Sequence, residues 1–220
     1  MPTLRRPVDS ELIDEFIFDT DDSTPEFIVE DFTEWLANYI SEGARFVDGQ
    51  MLQYGYTFLN CSVESRVLRL LAPDFQGMPI EWTINLGPAF RIIAAQKYIP
   101  ESFGWVPDIP SLGNTVIVGR KFDEIPMFAN RLPPVESIPN DSGWFIGSTR
   151  DDIDNNDPAG LQLMSLYEAM LTAPHVIHFL SLLVGCQVVF LGEKPIVLKE
   201  GQRLEIPNGS FLERFLETHS

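Results

Sequence analysis

Asn140-Asp141-Ser142-Gly143-Trp144-Phe145-Ile146-Gly147-Ser148-Thr149-Arg150-Asp151-Asp152-Ile153-Asp154-Asn155-Asn156-Asp157 joins a turn, a short aromatic strand and an acidic loop. Asn140, Asp141 and Gly143 are turn formers, because short polar side chains bond the neighbouring backbone and glycine tolerates positive φ. Trp144, Phe145 and Ile146 then make an apolar run suited to a buried strand that stops at Gly147. Asp151, Asp152, Asp154 and Asp157 follow with only Arg150 to balance them. Such a loop stays in water or meets something basic, so it belongs on the surface. Asp141, Gly143 and Trp144 are assigned to folding rather than contact.

Working outward, the same punctuation recurs. Upstream lies a strand at Val116 to Val118 and a Pro-rich loop from Pro126 to Pro139; downstream, Leu161 to Leu166 reads as a strand entering a helical turn. Pro174 to Leu183 reads as a helix, and Cys186 to Leu191, Ile196 to Leu198 and Arg203 to Ile206 as strands. Ser210 and Glu213 have capping-box spacing ahead of Phe215 and Leu216. In the first half, Leu12, Ile13, Phe16 and Ile17 have helical spacing after Ser10. A second helix begins at Thr24 as N-cap with Pro25 in its first turn. Ile28, Phe32, Trp35 or Leu36, and Tyr39 or Ile40 repeat at steps of three and four and give it one broad apolar face. Strands are predicted at Gln53 to Leu59, Arg66 to Leu71 and Ile80 to Leu86, in meander order, then a helix from Pro88 to Tyr98. Pro100, Gly104, Pro107, Pro110 and Gly113 crowd the next stretch and predict a boundary there. The expectation is an α+β fold of mainly antiparallel sheets flanked by helices. It comprises two small subdomains, residues 1–113 with the acidic helices and residues 114–220.

Charge narrows the partners. The net charge is -17 at pH 7 with 32 acidic residues, and such a field repels phosphate backbones and anionic lipid. Nucleic acid and membrane are therefore not expected ligands. The first helices concentrate the imbalance, with Asp19, Asp21, Asp22, Glu26 and Glu30 close together in sequence. Glu26, Glu30 and Glu34 stand four residues apart, where like charges oppose a helix by about 0.2 to 0.5 kcal/mol per pair. No apolar core of a secretory leader follows Met1, and the apolar window Val176 to Val184 is too short to span a bilayer. The sequence thus predicts a cytoplasmic protein. Cys61 and Cys186 lack a paired spacing and read as buried thiols of a reducing compartment.

Motifs for chemistry fail on inspection. His175 and His178 lie one helical turn apart, but a metal needs further ligands and none is nominated. Asp152, Asp154 and Asn156 copy the start of a calcium loop, yet Asp157 stands where the sharp turn needs glycine and Leu163 where the bidentate glutamate belongs. There is no nucleophile elbow, phosphate-cradling loop or dinucleotide fingerprint. No catalytic residue, metal or cofactor is predicted. On charge alone, the acidic faces fit a solvated surface, a general protein-interaction module or a receptor for a basic partner; a hydrolase working through paired carboxylates stays open.

The C-terminal half resembles a bacterial family, the immunity proteins described as thirty-three-like. The resemblance rests on Asp141-Ser142-Gly143-Trp144, the acids at 151 to 157, Pro174 through Leu183, and Val184-Gly185, and it spans roughly residues 114 to 192. Ser148 and Thr149 depart from the family's pattern after the tryptophan strand, as does the Pro133-Pro134 insert. The resemblance implies a small α+β domain that protects a cell by binding a toxin, with no catalytic residue to carry over. Combined with the charge, it predicts a cognate toxin with a basic surface, for which a nuclease delivered by type VI secretion is the natural choice. Two contact groups follow: Asp19, Asp21, Asp22, Glu26 and Glu30, and then Asp151, Asp152 and Asp154.

Overall fold

A computed structural model describes residues 2–192 and 194–218. The fold is α+β, with two mixed but mostly antiparallel sheets and helices beside them. By internal contacts the chain divides into Met1–Ala94 and Ala95–Ser220. That division falls inside a helix, ahead of the stretch from Pro100 to Gly113.

The first unit contains β1 (Thr3–Pro7), β2 (Glu15–Asp19), α1 (Glu26–Ser41), β3 (Gln50–Tyr54), β4 (Thr57–Glu64), β5 (Val67–Pro73), β6 (Trp82–Thr83) and the start of α2 (Gly87–Glu101). Its sheet runs β1-β2-β5-β4-β3, with β6 on β5, and only β2 and β5 are parallel. The helix expected after Ser10 is instead a bend and a strand. Arg66 explains the bend by donating to the carbonyls of Ser10 and Glu11 and to the Asp14 carboxylate, which removes the carbonyls a first helical turn would use. Glu15 to Asp19 then lies between two strands, where the run Phe16-Ile17-Phe18 is buried throughout. Apolar pairs at 12–13 and 16–17 satisfy a helical period as well as a strand, and burial on both sides decides for the strand.

The expected strand from Gln53 to Leu59 is a hairpin, with Tyr54 paired to Thr57 across Gly55 and Tyr56. The predicted meander is present as β3-β4-β5, and Ser65 and Arg66, both at positive φ, make the second tight turn. Ile80 to Leu86 shrinks to Trp82–Thr83, because Asn85 turns the chain by accepting from the Gly87 amide at the head of α2. On α1 the buried residues are Ile28, Phe32, Thr33, Leu36 and Ile40, so of the alternatives the spacing left open, Leu36 and Ile40 point inward and Trp35 and Tyr39 lie at the edge of that face. Phe18, Phe32 and Phe90 meet there, with ring centroids 5.4, 5.7 and 5.1 Å apart. Truncating one such ring to alanine costs about 3 to 5 kcal/mol.

The second unit carries β7 (Thr115–Val118), β8 (Met127–Arg131), β9 (Asp141–Ser148), β10 (Gln162–Ser165), β11 (Cys186–Phe190), β12 (Ile196–Lys199) and β13 (Gln202–Arg203), with α3 (Leu166–Thr172) and α4 (Phe211–Thr218). Its sheet order is β10-β7-β9-β8-β11-β12-β13, parallel only between β7 and β9. Three expectations change. The Pro-rich loop contains β8, an interior strand between Pro126 and Pro133 that buries Met127, Ala129 and Arg131 in alternation. Pro174 to Leu183 is a 3-10 helix over Pro174–Phe179, not an α-helix. Arg203 to Ile206 pairs only at Gln202–Arg203. Ser165 and Glu168 form the full capping box of α3, whereas at α4 the Glu213 carboxylate reaches past Ser210 to the Gly209 amide.

Candidate functional site

The aspartate that opens β9 acts as a clamp. Asp141 accepts from the Val135 amide at 2.7 Å with one oxygen and from the Gly143 amide at 3.0 Å with the other. Ser142 accepts from the Trp144 amide, and Trp144, fully buried, donates through its indole N–H to the Leu180 carbonyl at 2.9 Å. Gly143 holds φ +73, and a Cβ there would stand 2.2 Å from the Leu132 carbonyl oxygen. The motif therefore fixes a close backbone approach, and its side chains face inward.

Arg131 lies across the motif. Its guanidinium sits 5.5 Å from the Trp144 ring, donates to Asp108 at 3.0 Å and leaves Nε buried without a partner. Burial lowers its pKa, and Asp108 opposes that shift. Trp144 and Arg131 together bind the 3-10 segment to the sheet, since both reach Leu180.

The acidic loop is fastened by one amide side chain. Asn155 accepts from the Ser148 amide at 3.2 Å and donates to the Ser148 carbonyl at 2.8 Å, as a neighbouring strand would. Asp152 takes both nitrogens of Arg150, at 3.0 and 3.2 Å, and that guanidinium holds its carboxyl below the usual carboxylate range. Asp157 caps the short 3-10 turn at Pro158–Gly160 and pairs with Arg120 at 3.3 Å. Asp151 and Asp154 stay exposed, and the Asp154 side chain accepts from the Asn156 amide. All three predicted contact acids here are thus exposed, and Asp152 is partly neutralised by Arg150.

The first acidic group separates more sharply. One oxygen of Asp21 accepts from Arg91 at 2.6 Å, from the Ser23 hydroxyl at 2.6 Å, and from the Ser23 amide and Thr24 hydroxyl at 3.1 Å. Arg91, then desolvation in opposition, then Ser23 set its pKa, and the balance holds the carboxyl far below its ordinary value. Gly87 makes room for this cluster, since a Cβ would lie 2.5 Å from the other Asp21 oxygen. Thr24 is thereby drawn away from the predicted N-cap role, and Pro25 stands at the cap with no side-chain bond. Asp19 is half-buried, with one carboxylate oxygen enclosed and unpaired. Asp22, Glu26 and Glu30 are exposed, and no lysine or arginine interrupts α1.

No group of three or more His, Cys, Asp or Glu among the described residues could hold a metal ion. His175 contacts the Met127 sulfur at 3.0 Å and packs edge-on against Phe190, and burial lowers its pKa. Cys61 and Cys186 are free and buried; burial raises Cys61 to about 11. No helix among the described residues is long and apolar enough to cross a membrane. Arg91, Arg131 and Asn155 organise these sites and were not singled out by sequence, because each acts through a partner distant in the chain or through backbone.

No curated protein and no solved structure gives a significant match to the chain. The sequence profile of the Imm33-like domain does match, over residues 95–199, which is wider than the span from 114 to 192 that the motifs cover. It takes in β7 through β12, the Asp141–Trp144 clamp and the Asn155-fastened loop. Residues 95–199, most of the second unit, therefore match the Imm33-like domain.

Proposed function

We propose that this chain is an immunity protein that binds one cognate bacterial toxin in the cytoplasm and neutralises it by covering its active or substrate-entry surface. The observation that carries the reading is the Imm33-like match across a folded unit. The protein acts by binding, not by catalysis. Its toxin is basic, with a nuclease effector of a type VI secretion system as the best fit, because a surface that holds phosphates also holds clustered carboxylates. A net charge of -17 draws such a partner in from a distance and raises the encounter rate at low salt.

The acids that meet the toxin are those with no other task in the fold: Asp22, Glu26 and Glu30 on the approach to α1 and along it, and Asp151 and Asp154 in the loop after β9. Asp21, Asp152 and, through its enclosed oxygen, Asp19 serve the fold instead. Co-expression with the protein encoded beside this chain tests the reading. Growth should be restored, and the purified pair should bind with strong salt dependence. Charge reversal at Asp22, Glu26 and Glu30 should slow association about tenfold or more at low ionic strength. Binding without rescue would make this an interaction module, and rescue with no dependence on salt would remove the electrostatic mechanism.

A further inference from the structure

An aromatic row runs along one flank of α1. Tyr54 on β3 meets Trp35 at 4.8 Å, Trp35 stacks on Tyr39 at 5.6 Å and 10°, and Tyr39 meets Phe46 edge-on at 6.0 Å. The row touches the core on both sides, through Phe32 beside Trp35 and through the buried Phe46 beside Tyr39. Between those contacts it reaches the surface. Tyr39 keeps 42% of its surface exposed and Val47, next in sequence to Phe46, keeps 66%. β3 is the last strand of its sheet on this side, so no further strand of that sheet covers the row.

The charge around the row has one sign. Between Glu26 and Tyr54 the chain holds six carboxylates and a single cation, Arg45. Glu42, exposed at the C-cap of α1, stands three residues beyond Tyr39, a spacing that places side chains next to each other on a helix surface. A part-exposed tyrosine near a carboxylate suits one side chain best. A guanidinium is planar and weakly hydrated, stacks on an aromatic ring and can pair with a carboxylate at the same time. An ammonium is more tightly hydrated, and an apolar residue would leave Glu42 unused.

We propose that Trp35, Tyr39 and Val47, with Glu42 beside them, form the anchor for an arginine-bearing segment of the toxin. This deepens the reading above and rests on it, since it needs a basic partner. The arginine lies on the Tyr39 ring with its fork toward Glu42, while Val47 takes the apolar stem of a neighbouring residue. Exposed carboxylates alone bring the partner in quickly and are screened by salt. Aromatic residues in a desolvated centre are what slow its departure.

The test uses the full chain and the protein encoded beside it. Tyr39→Ala should raise the dissociation constant about tenfold, mainly through faster release, and weaken growth protection. Tyr39→Phe, which keeps the ring, should bind as the parent does, and Glu42→Gln should fall between them. Tyr39→Phe and Glu42→Gln should melt with the parent and Tyr39→Ala somewhat below it, since that ring packs on Trp35 and Phe46. Unchanged affinity of a folded Tyr39→Ala overturns the anchor; if charge reversal on α1 still slows association, the immunity reading survives it. A parent chain that neither binds nor protects overturns both.

Discussion

Replacing Gly143 by alanine is the sharpest probe of the Asp141–Trp144 clamp. At φ +73 an L residue sits in left-handed backbone, which costs about 1 to 2 kcal/mol. The added methyl carbon would also stand 2.2 Å from the Leu132 carbonyl oxygen, which is backbone and cannot swing aside. Relief requires β8 and β9 to part at the place where Leu132 donates to the Gly143 carbonyl at 2.7 Å. Losing that bond costs about 1 kcal/mol. Loosening the two amides on Asp141 adds about 1 to 2 kcal/mol, since its acceptor is charged. The total is about 3 to 5 kcal/mol, which for a chain of this size lowers the melting temperature by about 6 to 20 °C. Gly209→Ala supplies the control: its φ is +72 but nothing lies within 4 Å of its Cβ, so only the backbone part applies, about 2 to 8 °C. Calorimetry with near-ultraviolet dichroism, which reports the buried Trp144, reads both variants. Equal melting of the two would refute the close-approach argument, because they share the dihedral and differ only in the collision.

Asp21→Asn should destabilise the protein by about 1 to 2 kcal/mol at pH 7 by removing the pair with Arg91. Because the folded carboxyl titrates below its unfolded value of about 3.9, that stabilisation is present above pH 4 and lost below it. The gap between parent and variant melting curves should narrow accordingly as the buffer is acidified, and a constant gap would contradict the assignment. Asn155→Ala should raise amide exchange at Ser148 and through the acidic loop by about tenfold or more, since two backbone bonds are released together. Unchanged exchange would mean the loop is held by its ion pairs alone. Arg131→Met should melt within about 3 °C of the parent, because a hydrophobe of similar length removes the orphaned Nε with the charge. Arg131→Ala should lose about 2 to 3 kcal/mol through the void left under Trp144, and equal stability of the two variants would show that packing there is immaterial.

Where a segment is buried by its own pattern, the sequence was readable. The alternation around Val116 and the Trp144 run give β7 and β9, and the steps of three and four from Ile28 to Ile40 give α1 with its apolar face. Asp141 and Gly143, read as turn residues, lie within the strand and not ahead of it. Segments fixed from elsewhere were misread. Ser10 to Ile17 carries a period that suits either element, and Arg66, a distant residue, decides against a helix. β8 hid among prolines because its buried set includes an arginine, which pattern reading counts as outside. The contact acids show the same limit. Asp21 and Asp22 are indistinguishable as letters, yet Arg91, seventy residues away, takes one into the fold and leaves the other in water.

α2 begins at Gly87, where Asn85 accepts its first amide, and runs to Glu101, so residue 95 lies in mid-helix. A fragment cut to the Imm33-like span would expose fresh amides in its opening turn, next to Gln96, whose side chain holds the Ile177 carbonyl at 2.7 Å. It would also discard α4, whose Phe211 packs on Tyr98 at 5.5 Å and whose Leu212 amide bonds Ser102. Anyone excising this half for binding work should therefore begin before Asn85 and continue beyond Thr218, or risk mistaking a frayed terminus for a weak ligand.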